Sequence, residues 1–164
     1  MSFVGIISNR EIYDFIKQAL LKNSKNQKLN LININKKNIQ NIKNVKFETI
    51  VVCEDLSMMD RQKLFINNIL NNSKYLIINA ENKINELEIQ NSDIQIITYG
   101  MNQKATVTVS SVKEDEILIC LQRNIKNIKN EIIEIQEVKK SREKVRNSEI
   151  YNYLVTFILE QIYS

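Results

Sequence analysis

The stretch "FVGIISNREIYDFI", residues 3–16, carries the strongest signal of the fold. Phe3–Ile7 is a compact apolar run typical of a buried strand, and the polar turn 8–10 follows it directly. Over Glu11–Lys22 apolar side chains recur at helical spacing. A strand, a short turn and a helix in this order predict an α/β unit, and many nucleotide-binding proteins place their phosphate loop at this position. The sequence therefore raises the question of whether this turn is a phosphate site.

The alternation of strand and helix continues through the first half of the chain. Further strands are predicted at Lys28–Ile34, Phe47–Glu54, Tyr75–Ala80 and Ile94–Gly100. A helix is predicted from Ser57, as its N-cap, to about Asn71, and a short helix over Asn38–Asn44. Strands that alternate with helices imply right-handed crossovers and a mostly parallel sheet with helices on both faces.

The second half of the chain changes character. Three strands with short connections predict an antiparallel β-meander, at Lys104–Val112, Ile117–Arg123 and Glu131–Val138. A final helix is predicted over Ser148–Tyr163, with Ser148 as its N-cap. The predicted fold class is therefore α/β: a Rossmann-like or P-loop-like, mostly parallel sheet with flanking helices, followed by a β-meander and a C-terminal helix. One domain is expected over 1–164, divided into a sheet portion (1–102), a meander (103–140) and a helix (148–164).

Composition excludes several classes of chemistry. The chain has no His and two Cys, so Ser–His–Asp and Cys–His catalysis are excluded and a zinc site is not expected. No apolar run approaches the roughly 20 residues that cross a bilayer, and no signal peptide is recognisable. We therefore expect a cytoplasmic protein without a membrane segment and with reduced thiols.

Polar side chains follow four of the predicted parallel strands. Because ligands in open α/β sheets bind beyond the carboxyl ends of the strands, these side chains are the candidate site. Asn9, Arg10, Asn79 and Asn102 are the residues expected to bind a nucleotide or small anion, and Glu54 is the candidate Mg²⁺ ligand. The alternative interpretation is structural, since every strand must end in something polar.

The turn after the first strand lacks the residues of a phosphate loop. Such a loop needs glycines that let backbone N–H groups converge, a Lys for the terminal phosphates and a Ser or Thr for Mg²⁺. "GIISNREI" has no glycine after Gly5 and no Lys. Arg10 at the start of the helix is the one residue there suited to holding an anion. The turn is interpreted as a disused phosphate-loop position.

The order of elements resembles the central, ATP-binding domain of the Mur ligases. "FVGIISNREIYDFIKQALL" lies where that family has a strand, a P-loop and a helix, and "TIVVCEDLS" resembles the strand that ends in its Mg²⁺-binding Glu, here Glu54. "YLIINAENKI" resembles the family's "NADD" stretch, and "IITYGMN" with "KATVTVSSV" resembles its strand end and the start of its meander. "VRNSEIYNYLVTFI" resembles its "HNxxNxxAA" helix, with Asn152 at the second Asn.

The departures from that family concern its catalytic parts. The Gly, Lys and hydroxyl of the P-loop are missing, the metal-binding His has no counterpart, and no segment corresponds to the two substrate domains. The resemblance therefore implies the fold and argues against ligase activity. It predicts a degenerate Mur-ligase-like domain of a bacterial protein, without catalytic residues.

Three functional hypotheses follow from the sequence. The first is a non-catalytic domain of otherwise unknown role that acts through protein contacts or a weakly held anionic ligand, without a cofactor. The second is a nucleotide or anion site in the strand-end crevice, where ATP with Mg²⁺ is the alternative ligand. The third is a nucleic-acid-binding module that uses the basic segments 36–46 and 123–130, although these segments lack the aromatic residues that stack on bases. The sequence does not indicate the oligomeric state.

Overall fold

The structure, a computed structural model, describes residues 2–22, 29–82, 87–141 and 146–164, with Met58 described by its backbone alone. Its strands are β1 (Phe3–Ile7), β2 (Asn30–Ile34), β3 (Thr49–Val52), β4 (Tyr75–Asn79), β5 (Gln95–Tyr99), β6 (Val107–Val112), β7 (Glu116–Leu121), β8 (Ile125–Lys126), β9 (Ile132–Ile133) and β10 (Gln136–Ser141). Its α-helices are α1 (Arg10–Lys22), α2 (Lys63–Asn71) and α3 (Ile150–Ile162). A 3-10 segment with a kink at Met59 precedes α2 (Leu56–Gln62), and a short 3-10 segment precedes α3 (Asn147–Glu149).

Eight strands form one sheet in the order β10-β7-β6-β5-β4-β3-β1-β2. Strands β1 to β5 are mutually parallel, β6 joins β5 in parallel, and β7 runs antiparallel to both of its neighbours, β6 and β10. The predicted α/β class, the mostly parallel sheet and the C-terminal helix are confirmed. The meander β6-β7-β10 extends the parallel sheet instead of forming a second one, because β6 pairs with β5 at Tyr99 and Val107.

Helices cover the two faces of the sheet with two separate apolar clusters. Because side chains alternate along a strand, Val51 of β3 points to one face while Ile50 and Val52 point to the other. Helices α1 and α3 pack on the Val51 face, together with the β8-β9 hairpin. Helix α2 and the loop after β2 pack on the opposite face. Among the described residues, no helix is long and apolar enough to cross a membrane.

Two predicted N-caps are wrong. Ser57 lies inside the 3-10 segment before α2, and Asp55 caps that segment by accepting a hydrogen bond from the Ser57 amide at 3.0 Å. Ser148 likewise lies inside the 3-10 segment before α3, where Glu149 is the cap residue and makes no side-chain capping bond. Both serines were plausible caps by residue type, but the chain tightens into a 3-10 turn before each α-helix begins.

Two predicted elements have a different form in the structure. The predicted strand Glu131–Val138 is divided into β9 and β10, because the chain leaves the hairpin at 134–135, where the Ile135 amide bonds the side chain of Asn124 at 3.1 Å. The predicted helix Asn38–Asn44 is a series of hydrogen-bonded turns, since bonds such as Asn41 N to Asn38 O at 2.9 Å do not continue into a regular helix.

Asparagine side chains form many of the described turns in a chain that has two Gly and no Pro. In the commonest arrangement the side-chain oxygen accepts a hydrogen bond from a nearby backbone amide, which imitates a backbone turn. This bond occurs at Asn9, Asn35, Asn38, Asn79, Asn91, Asn102 and Asn127. Asn71 and Asn124 instead accept the amides of Gln90 and Ile135, which are distant in the sequence. Asparagine also supplies the left-handed residue of the β8-β9 hairpin, Asn130, at φ 63°.

Candidate functional site: the carboxyl edge of the parallel strands

The candidate site lies where the parallel strands β1, β3, β4 and β5 end. The chain order reverses between β1 and β3, because β2 lies on one side of β1 and every later strand of the sheet lies on the other. Crevices in open α/β sheets form at such a reversal. Asn9, Arg10 and Glu54 flank this point, while Asn79 and Asn102 follow β4 and β5, one and two strands further along.

Asn9 and Arg10 are both engaged within α1. The side-chain oxygen of Asn9 accepts the Ile12 amide at 2.9 Å, which makes Asn9 the N-cap of the helix. The Arg10 guanidinium bonds Asp14 one turn along the helix at 3.1 Å and lies 5.4 Å from the ring centre of Tyr13. The pKa of Tyr13 is raised, mainly by burial, so its phenol stays protonated. These contacts direct Arg10 along the helix.

Glu54 follows β3 and is half-buried. Among the described residues its carboxylate makes no hydrogen bond, and its backbone carbonyl accepts a bond from the side-chain Nδ2 of Asn82 at 3.5 Å. Within the described ranges, no three His, Cys, Asp or Glu side chains converge in a way that would hold a metal ion. The assignment of Glu54 as an Mg²⁺ ligand therefore remains a prediction, supported by a single carboxylate.

Asn79 and Asn102 each form a turn at the end of a strand. The Asn79 oxygen accepts the Glu81 amide at 2.9 Å, and the Asn102 oxygen accepts the Lys104 amide at 2.8 Å. Neither side chain bonds to the other or to Arg10 in the described part of the chain. The structure thus places the predicted residues along one edge of the sheet. It gives a local structural partner to each of them except Glu54, whose carboxylate makes no bond in the described part of the chain.

A polar cluster around Glu81 joins this edge to α3. One Glu81 oxygen accepts the Met101 amide at 3.0 Å, and the other accepts the Tyr151 hydroxyl at 2.9 Å. The pKa of Tyr151 is raised, first by burial and then by this hydrogen bond to the carboxylate. A Cβ atom at Gly100 would lie 3.0 Å from the Glu81 Oε1 atom, so the absence of a side chain at position 100 leaves space for the carboxylate. Sequence reasoning missed this cluster because Glu81 and Tyr151 are separated by 70 residues.

A half-buried thiol, Cys53, and a buried phenol, Tyr99, lie beneath the same edge. The Tyr99 hydroxyl donates to the Val52 carbonyl at 3.0 Å. Burial raises the pKa of Cys53 to about 12, and it also raises the pKa of Tyr99. Both groups are therefore neutral at physiological pH, and neither supplies a nucleophile or a base.

The raised pKa predicts slow thiol–disulfide exchange at Cys53 in a Cys120→Ser variant. With a pKa of about 12, the thiolate fraction at pH 8 falls by about three orders of magnitude. Higher intrinsic nucleophilicity restores part of this, which leaves a rate roughly 30- to 100-fold below that of an ordinary thiol. The rate is expected to rise about tenfold per pH unit between pH 8 and 10. Stopped-flow reaction with a disulfide reagent measures it, with the same variant unfolded in guanidinium as the reference. A plateau near pH 9.5 would contradict the burial of the thiol.

A second cleft, of about 520 Å³, lies at the opposite edge of the sheet, where the parallel strands begin. Two cations and two carboxylates line it: Lys46, Lys74, Glu48 and Asp93. Lys74 lies 3.5 Å from Glu48, so part of this charge is already paired. Because the formal charges balance, the lining selects neither an anion nor a cation. Sequence reasoning did not anticipate this cleft, because its residues come from four separate segments of the chain.

Neither a scan against protein-family models nor a search of the curated proteins finds a match for this chain.

Proposed function

We propose that this chain is a non-catalytic, Mur-ligase-like domain of a cytoplasmic bacterial protein that acts through protein contacts, without a cofactor. The observation that carries the proposal is the engagement of the strand-end side chains. Asn9, Asn79 and Asn102 each cap a turn or helix, and Arg10 pairs with Asp14. A nucleotide site would need these groups to converge on phosphates, and here they support the fold.

The arrangement of the carboxyl edge fits a fixed contact surface. The Glu81 carboxylate is held on both oxygens, and this ties the ends of β4 and β5 to the start of α3. Met101, at the same edge, is 52% exposed. Exposed methionine on a preorganised surface is a common feature of protein contact sites. This combination supports a role in binding another protein more than one in binding a small ligand.

Calorimetric titration of Mg-ATP into the protein tests the proposal. We expect no binding in the micromolar range, because the turn after β1 offers no glycine-rich loop and its Arg is paired within α1. Circular dichroism on the same sample establishes that the protein is folded. A micromolar dissociation constant with one site per chain would overturn the non-catalytic assignment.

A retained anion site at the start of α1 is the second candidate function. The observation in its favour is that the Arg10 side chain is 74% exposed, so an anion can reach it beside the first amides of the helix. In thermal melts with nucleotides and inorganic phosphate, an anion that raises the melting temperature of wild type but not of Arg10→Ala would support this candidate. Lys113→Ala, which removes another exposed cation that is paired with a carboxylate, is the matched control.

The two basic segments proposed for nucleic-acid binding lie on opposite faces of the sheet. Segment 36–46 packs through Ile39 and Ile42 on the α2 face, and segment 123–130 packs through Ile125 and Ile128 on the α3 face. Their cations therefore do not form one continuous patch of the kind that follows a phosphate backbone. This placement gives the nucleic-acid hypothesis no support.

A further inference from the structure

The two outer strands of the sheet, β2 and β10, differ in how their free edges are protected. Strand β10, with the sequence "QEVKKS", carries Glu137, Lys139 and Lys140, and charged side chains on an edge strand discourage pairing with another chain. Strand β2, "NLINI", has no charge, no proline and no bulge, and in the described part of the chain β1 is its one strand neighbour. The composition of β2 therefore does nothing to prevent its free edge from pairing with another strand.

The backbone groups that β2 turns outward follow from the register of the sheet. The Ile7 carbonyl of β1 accepts the Cys53 amide on the β3 side at 3.0 Å, so Ile6, the adjacent residue, faces β2. Ile6 is in register with Asn33. In a parallel ladder a residue that faces its neighbour bonds the two residues flanking its register partner. Asn33, and Leu31 two residues before it, therefore direct their own amides and carbonyls away from the sheet.

Both of these outward carbonyls accept hydrogen bonds from side chains. The Tyr13 hydroxyl of α1 donates to the Leu31 carbonyl at 2.9 Å, and the Asn38 amide group donates to the Asn33 carbonyl at 2.7 Å. Tyr13 is buried, with 6% of its surface exposed. Asn38 is fixed by a second bond, from the Asn35 amide to its oxygen at 2.9 Å. Two ordered side chains thus occupy the positions that an added strand would use.

We propose that Tyr13 and Asn38 mask a strand-pairing edge on β2, and that the partner this edge fits is a second copy of the chain. Antiparallel pairing about a two-fold axis at Ile32 places Leu31 of one copy opposite Asn33 of the other. The outward N–H and C=O groups of these two residues then face each other on both sides of the axis. No like charges face one another in this arrangement, because β2 has none. The bonds of Tyr13 and Asn38 keep the wild-type chain from extending its sheet in this way.

The test compares self-association of the wild type with that of the double variant Tyr13→Phe/Asn38→Ala. Sedimentation equilibrium from micromolar to millimolar protein is expected to show wild type as a monomer. The double variant is expected to form a dimer with a dissociation constant at least about tenfold lower than that of wild type. Adding Asn30→Lys, which places a charge on the β2 edge, is expected to restore the monomer.

A control pair, Tyr151→Phe/Asn72→Ala, removes the same chemical groups away from β2 and is expected to leave the monomer unchanged. The proposal is overturned if the folded double variant stays monomeric throughout, if wild type associates equally, or if Asn30→Lys does not reverse the association. If circular dichroism shows that the double variant does not fold, Tyr13→Phe alone, which removes one oxygen atom, decides between dimer and monomer by the same measurement.

Discussion

Gly5→Val is expected to lower the free energy of unfolding by about 3 kcal/mol, because it overpacks the centre of the sheet. An added Cβ would lie 2.6 Å from the Ile34 Cδ1 atom, 2.8 Å from that of Ile50 and 3.0 Å from the Phe47 ring. All three side chains are almost fully buried, so they have little room to move. Urea unfolding measures the loss, which should appear as a lower midpoint with an unchanged slope.

Two controls accompany this substitution. Gly5→Ala adds one carbon at the same site and is expected to cost less, about 1 to 2 kcal/mol. Thr108→Val, at a half-exposed position in β6, should change stability by about 0.5 kcal/mol at most. If Gly5→Val were as stable as wild type, the close packing of β1 against β2 and β3 would be wrong. The expected fall in the free energy of unfolding would also explain why residue 5 is glycine. Gly5 allows close packing within a strand, which is a role unrelated to binding phosphate.

Phe157→Ala is expected to lower the free energy of unfolding by about 3 to 5 kcal/mol. Phe157 lies on α3 with 1% of its surface exposed, in an apolar cluster that contains residues from β1, β3, β4, β5, β6 and β7. The ring of Tyr153, also on α3, lies 5.2 Å from that of Phe15 on α1. Because this one cluster joins the predicted sheet portion, meander and C-terminal helix, we expect all three to unfold together.

Coincidence of the unfolding curves tests that cooperativity. Far-UV circular dichroism and tyrosine fluorescence should give one transition for wild type and for Phe157→Ala, with both curves shifted equally by the mutation. Leu64→Ala, which shortens a side chain that is 71% exposed on α2, is the control and should leave the transition nearly unchanged. A variant whose α3 melts before the sheet would contradict the prediction of a single domain.

The sequence predicted the sheet well because buried strands leave a strong local signal. Phe3–Ile7 was predicted with its observed bounds. Each further parallel strand lies inside its predicted range and is shorter than that range. The errors at Ser57, Ser148 and 38–44 are local, since the chain forms 3-10 segments or turns there. The error at 131–138 comes where a side chain from elsewhere influences the local structure. Asn124 helps to separate β9 from β10, and no pattern within 131–138 indicates this.

The candidate site was harder to predict than the fold, for a related reason. Which residues end a parallel strand is local information, and the positions of Asn9, Glu54, Asn79 and Asn102 at one edge follow from it. What each side chain bonds is not local. The contact between Glu81 and Tyr151 depends on where α3 begins relative to β4, which is a property of the packed molecule.

The asparagine side chains divide into two classes, according to whether the oxygen accepts a hydrogen bond or the nitrogen donates one. Where the oxygen alone accepts a backbone amide, as at Asn9, Asn79 and Asn102, aspartate retains the acceptor, so deamidation leaves the turn its hydrogen bond. Asn33 and Asn38 donate through nitrogen to backbone carbonyls, and aspartate cannot do so. Conversion to aspartate would therefore keep the turn acceptor at Asn9, Asn79 and Asn102. At Asn33 and Asn38 it would remove donors that hold β2 to the end of β1 and to the loop that follows β2.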